Sequence, residues 1–436
     1  MIKHTIAAFF LMLAAPAWAA GDAGQPDARL IRQGEYLSRA GDCIACHTAQ
    51  GGKPFAGGLG LDSPLGAIYS TNITPDPDTG IGNYTLEDFD RAVRRGVAKD
   101  GHTLYPAMPY TSYAKVSPQD IQALYAYFMH GVQPVNQANK DTEIPWPLSM
   151  RWPLGIWRWM FAPDADRAQA AGAKEAAAGP GEVLRGKYLV EGLGHCSSCH
   201  TPRGLAMQEK ALTADDGSAF LAGGRIEGWL AKNLRGDPAD GLGGWTKEDI
   251  VAFLKDGRNG HSAAFGGMSQ VVSDSTQHLA DADLDAIAAY LKTLPPARPD
   301  AGAAPQYDDS AGQALRTGKA TGDGAIAFLN NCAACHRSTG KGYEQTFPRL
   351  ALSSTVNSRD PASLIHLVLK GGQMPATASA PTAYAMPGFD WRLTDQEIAD
   401  VVTFVRSSWG NQAAAVTASD VAKVRKEVGA VPQPAR

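Results

Sequence analysis

Cysteine is scarce in this sequence: 436 residues hold six, and all six fall within three short motifs, which leaves none for a separate disulfide framework. Past the N-terminus no stretch gives eighteen uninterrupted apolar residues, which excludes a spanning helix there and leaves only peripheral contact with a membrane. Charge of one sign is missing too. Forty Lys and Arg stand against 44 Asp and Glu, for a formal charge of -4, which excludes nucleic-acid binding by bulk charge. There is no nucleophile elbow, phosphate loop, dinucleotide fingerprint or zinc motif, so the sequence offers nothing that binds or activates an organic substrate.

What is there is one pattern in triplicate: Cys43-Ile44-Ala45-Cys46-His47, Cys196-Ser197-Ser198-Cys199-His200 and Cys332-Ala333-Ala334-Cys335-His336. C-x-x-C-H is the attachment sequence of a c-type haem. Two thiols reach the two vinyl groups of one porphyrin as thioethers, and the adjacent imidazole takes the proximal iron position. A disulfide scaffold does not require His after every second Cys, a zinc site usually pairs two such motifs, and a redox dithiol belongs beside a βαβ pattern. The sequence therefore predicts three covalently bound haem c groups, held by Cys43, Cys46, Cys196, Cys199, Cys332 and Cys335, with His47, His200 and His336 as proximal ligands.

The chain opens with Lys3 and His4, an apolar run from Ile6 to Ala15, and Pro16-Ala17-Trp18-Ala19. These features predict a secretory signal peptide over residues 1–19 and export to the periplasm. The remainder is too long for one core. Two seams poor in large apolar residues, Ala162 to Gly181 and Leu294 to Gly322, read as Ala/Pro/Gly-rich linkers. They divide the chain into residues 20–161, 181–294 and 322–410, with a tail over 411–436.

The three parts repeat one plan. Each starts with a helical run into its motif, over Ala28 to Ala40, Gly181 to Glu191 and Gly324 to Asn331, and each ends with a helix behind a capping signal. These last helices are Ile121 to His130 after Ser117-Pro118-Gln119-Asp120, Leu284 to Leu294 after Asp281 to Asp283, and Ile398 to Ser407 after Thr394-Asp395-Gln396-Glu397. A first helix crossing a last helix is the plan of a small class I cytochrome c. The fold class predicted is all-α, with three tandem class I cytochrome c domains. Phe55-Ala56-Gly57-Gly58 recurs near Phe220-Leu221-Ala222-Gly223-Gly224, and Gly80 to Thr85 recurs as Gly241 to Thr246, which marks the second domain as a duplicate of the first.

The sixth iron ligand decides between carrying electrons and doing chemistry at an open iron. Met108, between Pro106 and Pro109, lies in a loop that cannot be helical, whereas Met129 falls inside the last helix. Met207 follows His200 too closely to reach the opposite face of a ring, which leaves Met268 in the Gly-rich loop Gly266-Gly267-Met268. In the third domain Ala385-Met386-Pro387 repeats Ala107-Met108-Pro109 and favours Met386, with Met374 as the alternative. The histidines outside the motifs, His102, His130, His195, His261, His278 and His366, show no metal spacing. His195 and His261 are alternatives for holding propionates or binding the second iron.

Phe55 to Gly58, Tyr69-Ser70-Thr71-Asn72-Ile73-Thr74-Pro75-Asp76, Thr103-Leu104-Tyr105-Pro106-Ala107-Met108-Pro109-Tyr110 and Ile144-Pro145-Trp146-Pro147-Leu148 together resemble the triple-haem cytochrome c subunit of periplasmic membrane-associated dehydrogenases. The resemblance implies a large catalytic partner of quinoprotein, flavoprotein or molybdenum type, acting on an alcohol, gluconate or a related substrate, and a small third subunit in some complexes. It also implies ubiquinone as acceptor and peripheral attachment to the inner membrane. By position it carries over Met108, Met268 and Met386 as sixth ligands. Some relatives use an amphipathic C-terminal segment as anchor; here Val421, Val424 and Val428 would make only a short apolar face. Rival readings are a multihaem enzyme of peroxidase or thiosulfate-oxidising type and a free periplasmic carrier.

Ile144 to Phe161 holds four of the chain's nine tryptophans beside Arg151 and Arg158. Its rings suit either packing between the first two domains or docking on a partner or lipid surface.

Overall fold

Asp27 caps the first helix, its carboxylate accepting from Arg29 N at 2.8 Å, and the helix runs Ala28–Ala40. The computed structural model describes residues 27–177, 181–299 and 303–430, so the expected signal peptide lies outside the described residues. The other first helices are Glu182–Tyr188, continued by a wider turn at Leu189–Leu193, and Asp323–Asn331. The last helices are Pro118–His130, Asp281–Thr293 and Asp395–Ser407. Ser117 caps the first of these through Asp120 N and Thr394 caps the third in a reciprocal box with Glu397. The second departs from expectation: its helix already begins at Asp281, and Ala280 in the cap position makes no side-chain bond.

First and last helices meet at a glycine in every domain. A Cβ on Gly34 would lie 1.9 Å from Ala123 O, one on Gly186 1.9 Å from Ala286 O, and one on Gly324 2.3 Å from Asp400 O. Each glycine also sits under an aromatic residue of the last helix, Tyr127, Tyr290 or Phe404. The helices thus approach backbone to backbone, closer than any side chain permits.

Among the described residues, three two-stranded antiparallel hairpins supplement the helices: Gly60–Ser63 with Gly66–Tyr69, Gly224–Ile226 with Trp229–Ala231, and Gly372–Gln373 with Ala385–Met386. The fold is therefore helix-rich with small β ribbons rather than purely helical. The first two ribbons occupy equivalent places, and each precedes a helix opened by a matching box, Thr85 with Asp88 and Thr246 with Asp249.

The first two domains share one continuous core, and their duplication makes the interface reciprocal. Tyr36 of the first domain's opening helix donates to Asp283 Oδ2 of the second at 2.6 Å, while Tyr188 of the second donates to Asp120 Oδ2 of the first at 2.5 Å. Arg185 completes Asp283 with two bonds of 2.8 Å. The third domain has its own core and meets the second through the second ribbon. There Leu230 N donates to Ser363 Oγ at 2.7 Å, Arg225 grips Asp360 at 2.6 and 2.8 Å, and the rings of Trp229 and His366 stack 3.7 Å apart.

Each seam contains a helix among its described residues. The first carries the helix Ala165–Ala177 and the second the helix Ser310–Arg316, with Leu315 buried. Alanine favours helix without needing an apolar face, and ion pairs from Arg95 to Asp166 at 2.7 Å and Lys187 to Glu175 at 2.7 Å tie the first to its neighbours. The C-terminal helix Ala418–Ala430 turns Val421, Val424 and Val428 into the third domain's core, and Arg425 reaches Asp395 at 2.7 Å. That apolar face is occupied within the chain.

Candidate functional site

In each motif the backbone closes one helical turn: His47 N donates to Cys43 O, His200 N to Cys196 O and His336 N to Cys332 O, each at 3.0 Å. Residues three and four apart on a helical turn share a face, so each turn presents two thiols and an imidazole together. The chain enters the first two turns through left-handed residues, Asp42 at φ 49° and His195 at φ 39°. Burial pushes the Cys43, Cys196 and Cys332 thiols up to about 12 and that of Cys199 up to about 11.

The imidazoles repeat one hydrogen bond. His47 Nδ1 lies 2.7 Å from Thr71 O, His200 Nδ1 2.7 Å from Lys232 O and His336 Nδ1 2.9 Å from Pro348 O. A carbonyl can only accept, so Nδ1 carries the proton and the lone pair stands on Nε2. Burial lowers all three imidazoles, His200 down to about 4, which favours the neutral form. A neutral ring, oriented by a carbonyl behind it and placed beside two thiols, fits the proximal side of a covalently held haem at all three sites.

The carbonyls are held in turn. Asn72 Oδ1 accepts from Thr74 N at 2.9 Å, and Asn233 Oδ1 accepts from Arg235 N at 2.8 Å. Asn72 also donates to Val135 O at 2.7 Å. Sequence reasoning gave these supporting residues no role, although Thr71-Asn72 and Lys232-Asn233 precede the already matched glycine stretches by the same distance.

Met108 and Met386 lie half-buried against the cores of their domains. Met268 is half-buried as well, but it stands in the first turn of the helix Gly267–Asp274 rather than in a loop. Met374 differs: its sulfur lies 4.0 Å from Arg258 Nη1 of the second domain. His195 and His261 are already engaged. The former places Nε2 3.2 Å from Gly41 O with its ring edge-on to Tyr113, and the latter places Nε2 3.1 Å from Asp249 Oδ2 while stacking on Trp245.

The first two sites are neighbours. Gly41, two residues before Cys43, receives Tyr113 Oη at 2.9 Å as well as His195, the residue before Cys196. Ser112 and Ser197 touch at 3.4 Å, and Arg39 Nη1 reaches Asp274 O, at the end of the Met268 helix, at 3.5 Å. The second site adjoins the third domain through Lys232, whose carbonyl holds His200 and whose Nζ donates to Ser354 Oγ at 3.1 Å.

Comparison with known proteins accords with this geometry. The cytochrome c family matches three stretches, residues 31–131, 183–295 and 322–409. The chain is 54% identical over 431 residues to the gluconate 2-dehydrogenase cytochrome c subunit of Pantoea cypripedii, covering 98% of this chain and 96% of that one. It is 53% identical over 415 residues to the cytochrome c subunit of the quinone alcohol dehydrogenase of Gluconobacter oxydans, covering 95% and 86%. The fructose dehydrogenase cytochrome subunit of Gluconobacter japonicus is 38% identical over 417 residues, covering 91% and 82%.

Proposed function

The chain belongs to the cytochrome c family, as an electron-transfer subunit of the dehydrogenase-associated kind with haem c bound covalently, and from that premise we propose where its electrons come from and go. They come from a large catalytic subunit oxidising gluconate, an alcohol or a related substrate in the periplasm, and they leave to ubiquinone at the inner membrane, to which the chain is held peripherally. The observation that carries this reading is the threefold recurrence of a Cys-x-x-Cys turn whose following His has its Nδ1 fixed on a backbone carbonyl.

When bound, each haem supplies a reversible one-electron Fe(III)/Fe(II) couple. The residues of the chain do the rest. Cys43 with Cys46, Cys196 with Cys199 and Cys332 with Cys335 hold the three groups covalently. His47, His200 and His336 offer Nε2 in a fixed orientation, and Met108, Met268 and Met386 supply a thioether that favours the ferrous state. Domain limits at 20–161, 181–294 and 322–410, each of class I type, fit the glycine crossing present in all three. The contact between the first two attachment turns, and the Lys232 contact to the third domain, support a relay with the second domain in the middle.

Alkaline pyridine treatment of the purified chain, combined with its intact mass, tests the reading: three c-type haems per chain are expected. Two or fewer on a fully processed chain would overturn it.

A further inference from the structure

The aromatic segment divides by direction. Trp157 faces inward, donating Nε1–H to Ala206 O at 2.8 Å and lying edge-on to Tyr110, so this ring packs the first domain against the second. The other three tryptophans face out, Trp146 at 80%, Trp152 at 66% and Trp159 at 82% exposure. On the helix Trp152–Phe161 the exposed large apolar side chains are Trp152, Ile156, Trp159 and Met160, spaced as one helical face. The preceding turn adds Leu148. Leu205 and Met207, exposed on either side of Ala206, continue the surface onto the second domain.

We propose that this face is the surface by which the chain lies on the headgroup region of an anionic bilayer. The inference rests on the peripheral-membrane reading given above and assigns that contact to one patch. A specific protein interface needs directional partners, roughly one hydrogen bond per 100–200 Å². Residues 144–161 have little to give beyond the indole N–H groups: their other polar side chains are Ser149, Arg151 and Arg158. Arg151 already lies 4.0 Å from the Tyr105 ring centroid, and Arg158 already donates to Arg95 O at 3.4 Å. A bilayer interface asks for no such register. It takes indole rings whose apolar body is buried while the N–H stays wet, beside basic and not acidic charge. The segment contains two arginines and no Asp or Glu, which complements anionic headgroups.

The test uses the haem-loaded chain and vesicles of phosphatidylcholine with phosphatidylglycerol. Co-sedimentation of the unmodified chain is expected, and Trp152→Ser with Trp159→Ser should weaken it by about tenfold or more, in line with the apolar area withdrawn. Haem content, the dithionite-reduced spectrum and association with the catalytic subunit should not change. Trp391→Ser, at an equally exposed ring of the third domain, should leave vesicle binding intact. Should the double variant not retain haem, hydrogen exchange on the unmodified chain decides: vesicles, and not the catalytic subunit, should protect residues 146–160. Wild-type vesicle binding by the double variant, or protection by the catalytic subunit alone, would overturn the inference. An unmodified chain that ignored vesicles would overturn the peripheral reading itself.

Discussion

A histidine has two ring nitrogens and can offer iron only the one it does not use elsewhere. At all three sites a backbone carbonyl, Thr71 O, Lys232 O or Pro348 O, takes Nδ1 and leaves Nε2 free. The methionines lack such a marker, and the third domain has two, Met386 in one strand of its ribbon and Met374 just past the other. Met386 lies against the domain's own core, while the sulfur of Met374 lies beside Arg258 of another domain. Met386→Leu should therefore remove about one third of the weak far-red Met-to-iron absorption of the oxidised protein and lower one potential. Met374→Leu should leave both unchanged. The opposite pattern would transfer the ligand role to Met374.

Among elements, the decisive contact is the crossing of first and last helices. An alanine inside a helix is ordinarily better than glycine by about 1 kcal/mol. At Gly186 that gain is overwhelmed, because the added Cβ would sit 1.9 Å from Ala286 O, a backbone atom that cannot move aside alone. Gly186→Ala should destabilise the protein by about 1–3 kcal/mol, read as a lower midpoint of thermal unfolding. A raised midpoint would mean that the helices are free to separate. The helices themselves were legible from capping and periodicity: Ala28–Ala40 has the expected limits, and Ser117 and Thr394 cap where expected. The glycine crossing was not legible, because a lone Gly in a helical run names no partner. The valines of the C-terminal helix Ala418–Ala430 show the same gap. Their spacing announces an apolar face, but only the packing reveals that the third domain's core covers it. Likewise Trp157 and Trp159, two residues apart on one helix, face opposite environments.

At the scale of the whole molecule, duplication has produced a nearly symmetric pair of domains closed by two Tyr–Asp bonds, with the third domain attached to one of them. Burial opposes ionisation of Asp283, but the bonds from Arg185 and Tyr36 outweigh it and hold the carboxyl below the usual aspartate range. A lowered carboxylate stabilises the folded state fully above the unfolded value of about 3.9, and that contribution is lost as pH falls through the lower folded value. Burial first, then the bond to Asp283, raises Tyr36 to about 12, so its contribution holds below the ordinary tyrosine value of about 10 and is lost as pH climbs towards 12. Asp283→Asn should lower the unfolding midpoint at pH 7 by an amount equivalent to about 1–3 kcal/mol. The difference from the unmodified protein should close well below pH 4, whereas a gap that persisted there would assign the effect to something other than charge.

We propose that this chain passes on electrons which a catalytic subunit extracts. Stopped-flow absorbance of its haems tests that most directly, first in the complete complex and then in the isolated chain. Addition of the catalytic subunit's substrate should reduce the haems in the complex, and a short-chain ubiquinone should then reoxidise them; the same substrate should leave the isolated chain oxidised, although dithionite reduces it fully. Reduction of the isolated chain by substrate, or haems in an active complex that stay oxidised while quinone is consumed, would contradict the account.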